Sequence, residues 1–169
     1  MDKELKGLVR RARQKDPDAF TELIEMHKQL MYKMARSILS NDEDARDAIQ
    51  DTILTLWEKM DMLRENTYFK TWLTKILINK CYDILRVGKR IDYVEELPDI
   101  PAREESSETE WKDLLAFLEE EYRIVVTLYY AQGFRTREIA RILDLKETTV
   151  RTKLARARKR LKQYYQEEE

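Results

Sequence analysis

The sequence has little of what turn-rich, disulfide-bonded or metal-binding proteins need. Of its 169 residues, three are glycine, three are proline, one is cysteine and one is histidine. A single cysteine cannot form an internal disulfide, and one cysteine with one histidine cannot complete a zinc site. Because charged residues make up 38% of the chain, the scarcity of glycine and proline favours long solvated helices over a β fold. We therefore predict an all-α protein.

Long apolar runs and catalytic motifs are missing as well. No run approaches the roughly 18 apolar residues that cross a bilayer, and the opening MDKELKG has neither the apolar core nor the cleavage site of a secretion signal. We expect a protein of the reducing cytoplasm. Since there is no glycine-rich phosphate loop, no Ser/His/Asp or Cys/His set and no metal cluster, we predict a protein that is not an enzyme and needs no cofactor or metal.

The formal net charge of −1 hides a segregation of charge along the chain. Between Asp92 and Glu110 eight acids stand against one arginine, and between Lys146 and Lys162 eight cations stand against one glutamate. The acidic stretch also lacks apolar periodicity and contains Pro98 and Pro101, as in a solvated linker. We predict a domain at residues 1–90, an acidic flexible linker at 91–108 and a smaller domain at 109–169.

Three long amphipathic helices are expected in the first domain, because apolar residues recur there at intervals of three and four. The first helix begins at Asp16 and Pro17, which supply a capping acceptor and a proline at the first helical position. The second follows residues 40–42 and the third follows residues 64–66. Together they are long enough to form a core.

Four side chains in these helices invite functional readings. His27 and Cys81 lie near apolar faces, where a packed core residue is the better interpretation than a ligand or redox switch. Trp72 shares the spacing of the core positions, so we expect packing rather than base stacking. Tyr68 is a freer candidate for stacking.

The second domain contains a helix-turn-helix pattern. A short helix is expected from Thr136, its cap, to Leu143, with Ile139, Ala140 and Leu143 inward. A turn at residues 144–146 then leads into a helix from Glu147 to about residue 164. Glycine usually stands where this chain has Asp144, but aspartate also tolerates a left-handed backbone.

One face of the longer helix is suited to reading DNA. A stripe beginning at Val150 points inward and includes Leu154, Ala157 and Leu161. Arginine on the other side can bond a guanine edge, and a threonine methyl can touch a thymine methyl. A solvated basic helix is the alternative interpretation. The candidate DNA-binding residues are Thr148, Arg151, Thr152, Lys153, Ala155, Arg156 and Lys159.

Three segments together resemble the extracytoplasmic-function (ECF) group of bacterial RNA polymerase sigma factors in the sigma-70 family. EDARDAIQDTILTLWEKM is similar to the region that docks on core polymerase, and FKTWLTKILINKCYDILR to the region that melts and reads the −10 element. REIARILDLKETTVRTKLARARKRL is similar to the region that reads the −35 element. The resemblance implies two helical domains, region 2 and region 4, and a promoter-specificity factor that acts with RNA polymerase.

The resemblance also implies residue roles. The polymerase's largest subunit would be contacted through its clamp helices, the second-largest through its flap, and the −10 strand by the third helix with the loop before it. An anti-sigma partner is expected, without direct membrane insertion. The polymerase-binding candidates are Asp44, Asp47, Gln50 and Asp51. The −10 candidates are Leu63, Asn66, Lys75, Asn79, Lys80 and Asp83.

A second function stays open at this point. A stand-alone helix-turn-helix regulator that binds duplex DNA as a dimer would account for the C-terminal residues. It leaves the acidic stripe of the second helix without a role. A solvated acidic face is the other interpretation of that stripe.

Overall fold

The computed structural model describes residues 2–91 and 106–167, and this part of the chain contains helices and no strand. The all-α prediction is confirmed. We number the α-helices in chain order. They are α1 (Lys3–Arg13), α2 (Pro17–Ile38), α3 (Asp42–Lys59), α4 (Phe69–Ile91), α5 (Ser106–Phe117), α6 (Glu120–Val126), α7 (Thr136–Leu143) and α8 (Glu147–Glu167).

The chain divides into two compact units. The first contains Met1–Leu85 and Arg141–Asp144, and the second contains Arg86–Ala140 and Leu145–Glu169. The domain bounds expected from the sequence stay a prediction, because most of the 91–108 linker lies outside the described residues. No helix in the described ranges is long and apolar enough to span a membrane.

Side-chain caps fix where α2 and α3 of the first unit begin. Asp16 Oδ1 accepts hydrogen bonds from the backbone N–H groups of Asp18 (3.0 Å) and Ala19 (3.2 Å) at the start of α2. Asn41 Oδ1 accepts from the N–H of Asp44 at 2.8 Å at the start of α3. Each cap satisfies backbone donors that a helix N-terminus leaves unpaired. Both predicted starts are confirmed.

The first helix of the structure, α1, was not expected from the sequence. It buries Leu8, Val9 and Ala12 and packs against α2. The apolar residues are spaced i, i+1 and i+4, as on one face of a helix. This short pattern was the available signal, but it lies in a stretch dominated by lysine and arginine.

The core of the second unit brings α5, α6 and α8 together. Its buried members include Leu115, Leu118, Tyr122, Val126 and Ala157, with Trp111 and Leu161 packed against them. The helix that includes α6 continues as a π-helical turn over Thr127–Ala131. It then ends at Gly133, which takes the left-handed conformation with φ 70°. The π-helical turn itself was not predicted.

Candidate functional site

The turn between α7 and α8 has the geometry of a helix-turn-helix. The three residues 144–146 connect the helices, and Asp144 takes the left-handed conformation with φ 53°. The N–H of Leu145 donates to the carbonyl of Ala140 at 2.9 Å, closing the end of α7. The predicted turn is therefore confirmed, with aspartate in the position that usually takes glycine.

Two details of α7 differ from the sequence prediction. Ile142 is buried and Leu143 only half-buried, so Ile142 was missed as an inward residue. Thr136 is the first helical residue rather than the cap, and its hydroxyl donates to Glu147 Oε1 at 2.8 Å. Sequence patterns locate the first residue of a helix only to within a residue or two. The bond to Glu147 joins two helices, and the spacing of residues along one helix does not show such a contact.

Glu147 joins the starts of α7 and α8. Its carboxylate accepts from the Thr136 hydroxyl and from Arg151 Nη2, the latter at 2.9 Å. The Thr136 bond is the main cause that lowers the pKa of Glu147, with Arg151 adding to it. The ionised glutamate therefore fixes the first turn of α8 and orients one candidate DNA-binding arginine.

The two faces of α8 are arranged as the sequence predicts. Val150, Leu154 and Ala157 are buried, and Leu161 is half-buried at the edge of the core. On the opposite side the structure exposes six of the seven candidate DNA-binding residues: Thr148, Arg151, Thr152, Ala155, Arg156 and Lys159.

The seventh candidate, Lys153, is placed differently. Its side chain is only 19% exposed, and its ammonium pairs with Glu121. It also lies 5.9 Å from the centroid of the Tyr122 ring. Lys153 therefore ties α8 to α6, and its charge is already engaged within the unit. Sequence spacing placed it at the side of the DNA-reading face but could not show the acid opposite it.

Other cations of α8 are also bonded within the second unit. Arg158 Nε donates to Tyr130 Oη at 2.7 Å, and Arg160 pairs with Glu119 at 3.0 Å. The Tyr130 bond raises the pKa of Arg158. Arg156 and Lys159, by contrast, have no hydrogen bond or ion pair with any described residue. Among the candidate DNA-binding cations, the unpaired charge therefore lies at Arg156 and Lys159, at the centre of the outward face.

The outward face of α3 carries acids. Asp47, Gln50 and Asp51 are exposed, and none of them has a hydrogen bond or ion pair in the described ranges. Leu54 lies one turn beyond Gln50 and is 56% exposed. Leu54 belongs to this face and was not predicted from the sequence. Its position three residues after Asp51 was the available signal, because residues at that spacing share a helix face. The face combines negative charge with an exposed apolar side chain.

Asp44 is less exposed than the other polymerase-binding candidates of α3. It is half-buried, and its carboxylate accepts from Asn41 Nδ2 at 2.9 Å while its N–H donates to the Asn41 side chain. The expectation that Asp44 contacts a partner stays a prediction, and this reciprocal cap occupies one oxygen of its carboxylate. Its position in the first turn also suits a negative charge near the helix N-terminus.

The α4 candidates share one polar stripe. Lys75, Asn79 and Asp83 recur every four residues, with Asn79 and Asp83 exposed and Lys75 half-buried. Lys80 is half-buried and lies about 100° around the helix from Asn79. The stripe is therefore present, and Lys80 stands beside it.

The loop before α4 requires one correction. Leu63 is only 4% exposed, so its side chain is part of the core and is not available to a DNA strand. The apolar side chain of Leu63 packs into the core, although the residues that follow it in the loop are polar. Asn66 is half-buried, and its Oδ1 accepts a hydrogen bond from Arg13 Nη1 at 3.0 Å. That bond leaves the amide Nδ2 group as the free end of the side chain.

The remaining four candidates are placed as expected. His27 is buried, with Nδ1 2.7 Å from the Leu23 carbonyl oxygen, and burial lowers its pKa. Burial raises the pKa of Cys81 to about 12, so the thiol is unreactive. Trp72 is half-buried with its ring centroid 6.5 Å from that of Phe69, whereas Tyr68 is exposed.

Comparison with known proteins gives consistent matches across the chain. The family model for sigma-70 region 2 matches residues 23–91, and the model for sigma-70 region 4 matches residues 109–161. The ECF RNA polymerase sigma factor SigM of Mycobacterium tuberculosis is 32% identical over 86% of this chain and 76% of its own. RNA polymerase sigma factor SigV of Bacillus subtilis is 30% identical over 79% of this chain and 82% of its own.

A solved structure is similar in fold and sequence. It is the sigma factor RpoE of Bartonella quintana, crystallised with the anti-sigma factor NepR. The identity is 27%, the match covers 87% of this chain and 96% of that chain, and the TM-score is 0.75.

Proposed function

Because the chain belongs to the ECF group of RNA polymerase sigma factors, whose members are not enzymes, we propose that it is a promoter-specificity factor. It binds core RNA polymerase, melts and reads the −10 element, and reads the −35 element. In this proposal residues 1–90 serve the first two tasks and residues 109–169 the third, with 91–108 as the connection.

The observation that carries the proposal is the pair of oppositely charged outward faces on α3 and α8. Asp47 and Asp51 present negative charge from the first unit, and Arg156 and Lys159 present positive charge from the second. A protein that binds both a protein partner and a polyanion needs two surfaces of opposite charge, because a surface of one charge sign cannot attract both. A stand-alone DNA-binding regulator has no use for the first face.

On α8, the proposal assigns base reading to the centre of the face. Arg156 can bond a guanine edge bidentately, and the small side chain of Ala155 lets the helix approach the groove. Thr152 offers a methyl group, while its hydroxyl donates to the Thr148 carbonyl at 3.0 Å. Cations toward the sides meet phosphates and set the position of the helix on the duplex.

In the first unit, the proposal assigns the −10 strand to the α4 stripe and the preceding loop. Asn79 and Asn66 offer amide groups that can bond the edges of unpaired bases, and Tyr68 offers an exposed ring for stacking. Lys75 and Lys80 supply positive charge for the strand's phosphates. Asp83 is less suited to a phosphate contact, because it carries the opposite charge to the one required.

The partners follow from the same proposal. Core RNA polymerase is bound through its clamp helices by the α3 face, with Leu54 added to Asp44, Asp47, Gln50 and Asp51. The flap of the second-largest subunit is bound by the second unit. The RpoE relative was solved with an anti-sigma factor, which supports a similar inhibitor for this chain. Transcription takes place in the bacterial cytoplasm, so the protein acts there.

The test is transcription from a random-promoter DNA library by core RNA polymerase with and without the purified protein. We expect new start sites that depend on the protein and share two elements at a fixed spacing. A protein that neither directs initiation nor co-elutes with core polymerase of a closely related bacterium, but binds duplex DNA tightly as a dimer, would instead be a stand-alone regulator.

A further inference from the structure

The segment Arg11–Asp16, which we call the clasp, contacts two other elements of the first unit, the loop before α4 and the end of α3. Within the clasp, Arg11 pairs with Asp16, the cap of α2, at 2.7 Å. Arg13 bonds Asn66 in the loop before α4. Lys15 reaches the end of α3. The clasp lies before the residues that the region 2 family model matches.

Lys15 closes the C-terminal end of α3. Its ammonium donates to the carbonyl oxygens of Trp57 and Glu58, the second at 3.4 Å, and stands 5.1 Å from the centroid of the Trp57 ring. A cation there satisfies carbonyls that the helix leaves unpaired and complements the helix dipole. The clasp is thereby anchored to the helix that carries the acidic face.

The backbone of Lys15 shows that this anchoring has a cost. Its φ of 64° lies in the left-handed region, and the bonds from Lys15 N to Ala12 O (3.0 Å) and from Asp16 N to Arg11 O (3.2 Å) form the turn that ends α1. Glycine is the usual residue in such a turn. A lysine in this strained backbone conformation is retained when its side chain makes a contact that glycine cannot make. Here that contact is the one with α3.

Arg13 extends the same anchoring to the loop. Its Nη1 donates to Asn66 Oδ1 at 3.0 Å, in a partly buried position 53 residues away in the chain. The amide of an asparagine has one acceptor end and one donor end. Because the guanidinium of Arg13 has only donors, it holds Oδ1 toward itself and fixes the amide in one orientation, with the donor Nδ2 pointing away from Arg13. An uncommitted asparagine could present either end.

We propose that Arg13 is a positioning residue for −10 recognition, which orients the Asn66 amide so that it selects bases with an acceptor at the contacted edge. The inference rests on the proposed function, since it names what sets the specificity of the loop. Arg13 itself does not touch the DNA strand. The clasp thereby connects base selection to the helix that docks on polymerase.

The test uses a promoter library randomised only in the −10 element, transcribed by core polymerase with the full-length protein and its variants. We expect Arg13→Ala to reduce base discrimination at one −10 position by about tenfold, the size expected for losing a charge-assisted hydrogen bond. Asn66→Ala should reduce discrimination at the same position. The double variant should behave like either single variant, because the two residues act as one unit.

Arg10→Ala is the matched control, since Arg10 lies on the same helix, is exposed and has no bond to a described residue. It removes the same charge and should leave the −10 profile unchanged. Arg13→Lys keeps a donor and should restore part of the discrimination, which a general loss of stability would not allow. The melting temperature of each variant is measured alongside.

The outcomes separate this inference from the proposed function. If the unmutated protein starts transcription nowhere, the sigma assignment itself fails. If it is active but Arg13→Ala keeps the full −10 profile, or lowers transcription equally at all promoters, the positioning role is wrong. Effects of Arg13 and Asn66 at different −10 positions would also overturn it.

Discussion

The outward faces of α3 and α8 differ in how much of their charge is already bound inside the protein. On α3, Asp47 and Asp51 have no ion pair with a described residue. On α8, Arg151, Lys153 and Arg160 pair with glutamates of their own unit. Charge counted along the sequence therefore overstates what α8 offers to DNA, whereas both acids of the outward face of α3 remain unpaired within the described residues.

This difference has a functional meaning. A paired cation is oriented and partly neutralised, so it fixes the helix more than it attracts a partner. An unpaired charge can attract a partner without first breaking an ion pair within the protein, and it speeds the encounter. We therefore expect function to depend on the unpaired residues of each face, and stability to depend on the stripes beneath them.

The largest effect should come from the stripe beneath α3. Leu56→Ala removes a side chain with no exposed surface, and we expect the first unit to lose about 2–5 kcal/mol of unfolding free energy. Leu54→Ala, on the exposed side of the same helix, should change stability by no more than about 0.5 kcal/mol. Urea denaturation measures both. Equal losses would mean that the buried and outward faces of α3 have been confused.

On α8, an unpaired and a paired arginine can be compared directly. Arg156→Ala should weaken recognition of the −35 element by about 1–3 kcal/mol and reduce the salt slope by about one, because it removes a base contact and a charge. Arg160→Ala should have a smaller effect, since Arg160 is bonded to Glu119. Promoter binding by the polymerase complex at several salt concentrations measures this. The reverse order would contradict the distinction.

On α3, a single neutralisation should weaken polymerase binding. We expect Asp51→Asn to lower affinity for core polymerase by about fivefold through slower association. Asp18→Asn is the control, because Asp18 is also an exposed acid of the first unit but lies on α2. Stopped-flow association kinetics give both rates. If the two variants are equally slow, net charge rather than the α3 face is responsible.

The pH dependence of the unfolding free energy should distinguish the first unit, which contains His27, from the second. Burial lowers the pKa of His27 below its ordinary value of 6.5, so the unfolded chain binds the proton more readily. The unfolding free energy should therefore fall as the pH decreases below about 6.5. His27→Gln should remove this part of the pH dependence. Denaturation at pH 7.5 and 5.5 tests it, and an unchanged dependence in the variant would exclude His27 as the cause.

The sequence predicted those features that depend on neighbouring residues. Asp16 caps α2, and Asp144 forms the left-handed turn between α7 and α8. Each is a local preference that a few residues decide. The buried stripe of α8 followed from helical spacing alone.

The missed features depend on contacts between distant segments. Lys153 was expected at DNA because nothing in its neighbourhood shows Glu121, which pairs with it from 32 residues away. Leu63 was proposed to contact the −10 strand, although its side chain is buried. The bond between Arg13 and Asn66 joins α1, which was not predicted, to the loop before α4, which was predicted. Such pairings follow from packing, which spacing along one helix does not encode.

The central claim is that the two outward faces serve different partners. Its most direct test is the affinity of labelled protein for core polymerase in two double variants, Asp47→Asn with Asp51→Asn and Arg156→Ala with Lys159→Ala. We predict that the first pair raises Kd by about tenfold or more and the second leaves it unchanged. Equal weakening by both pairs, or weakening by the α8 pair alone, would contradict the claim.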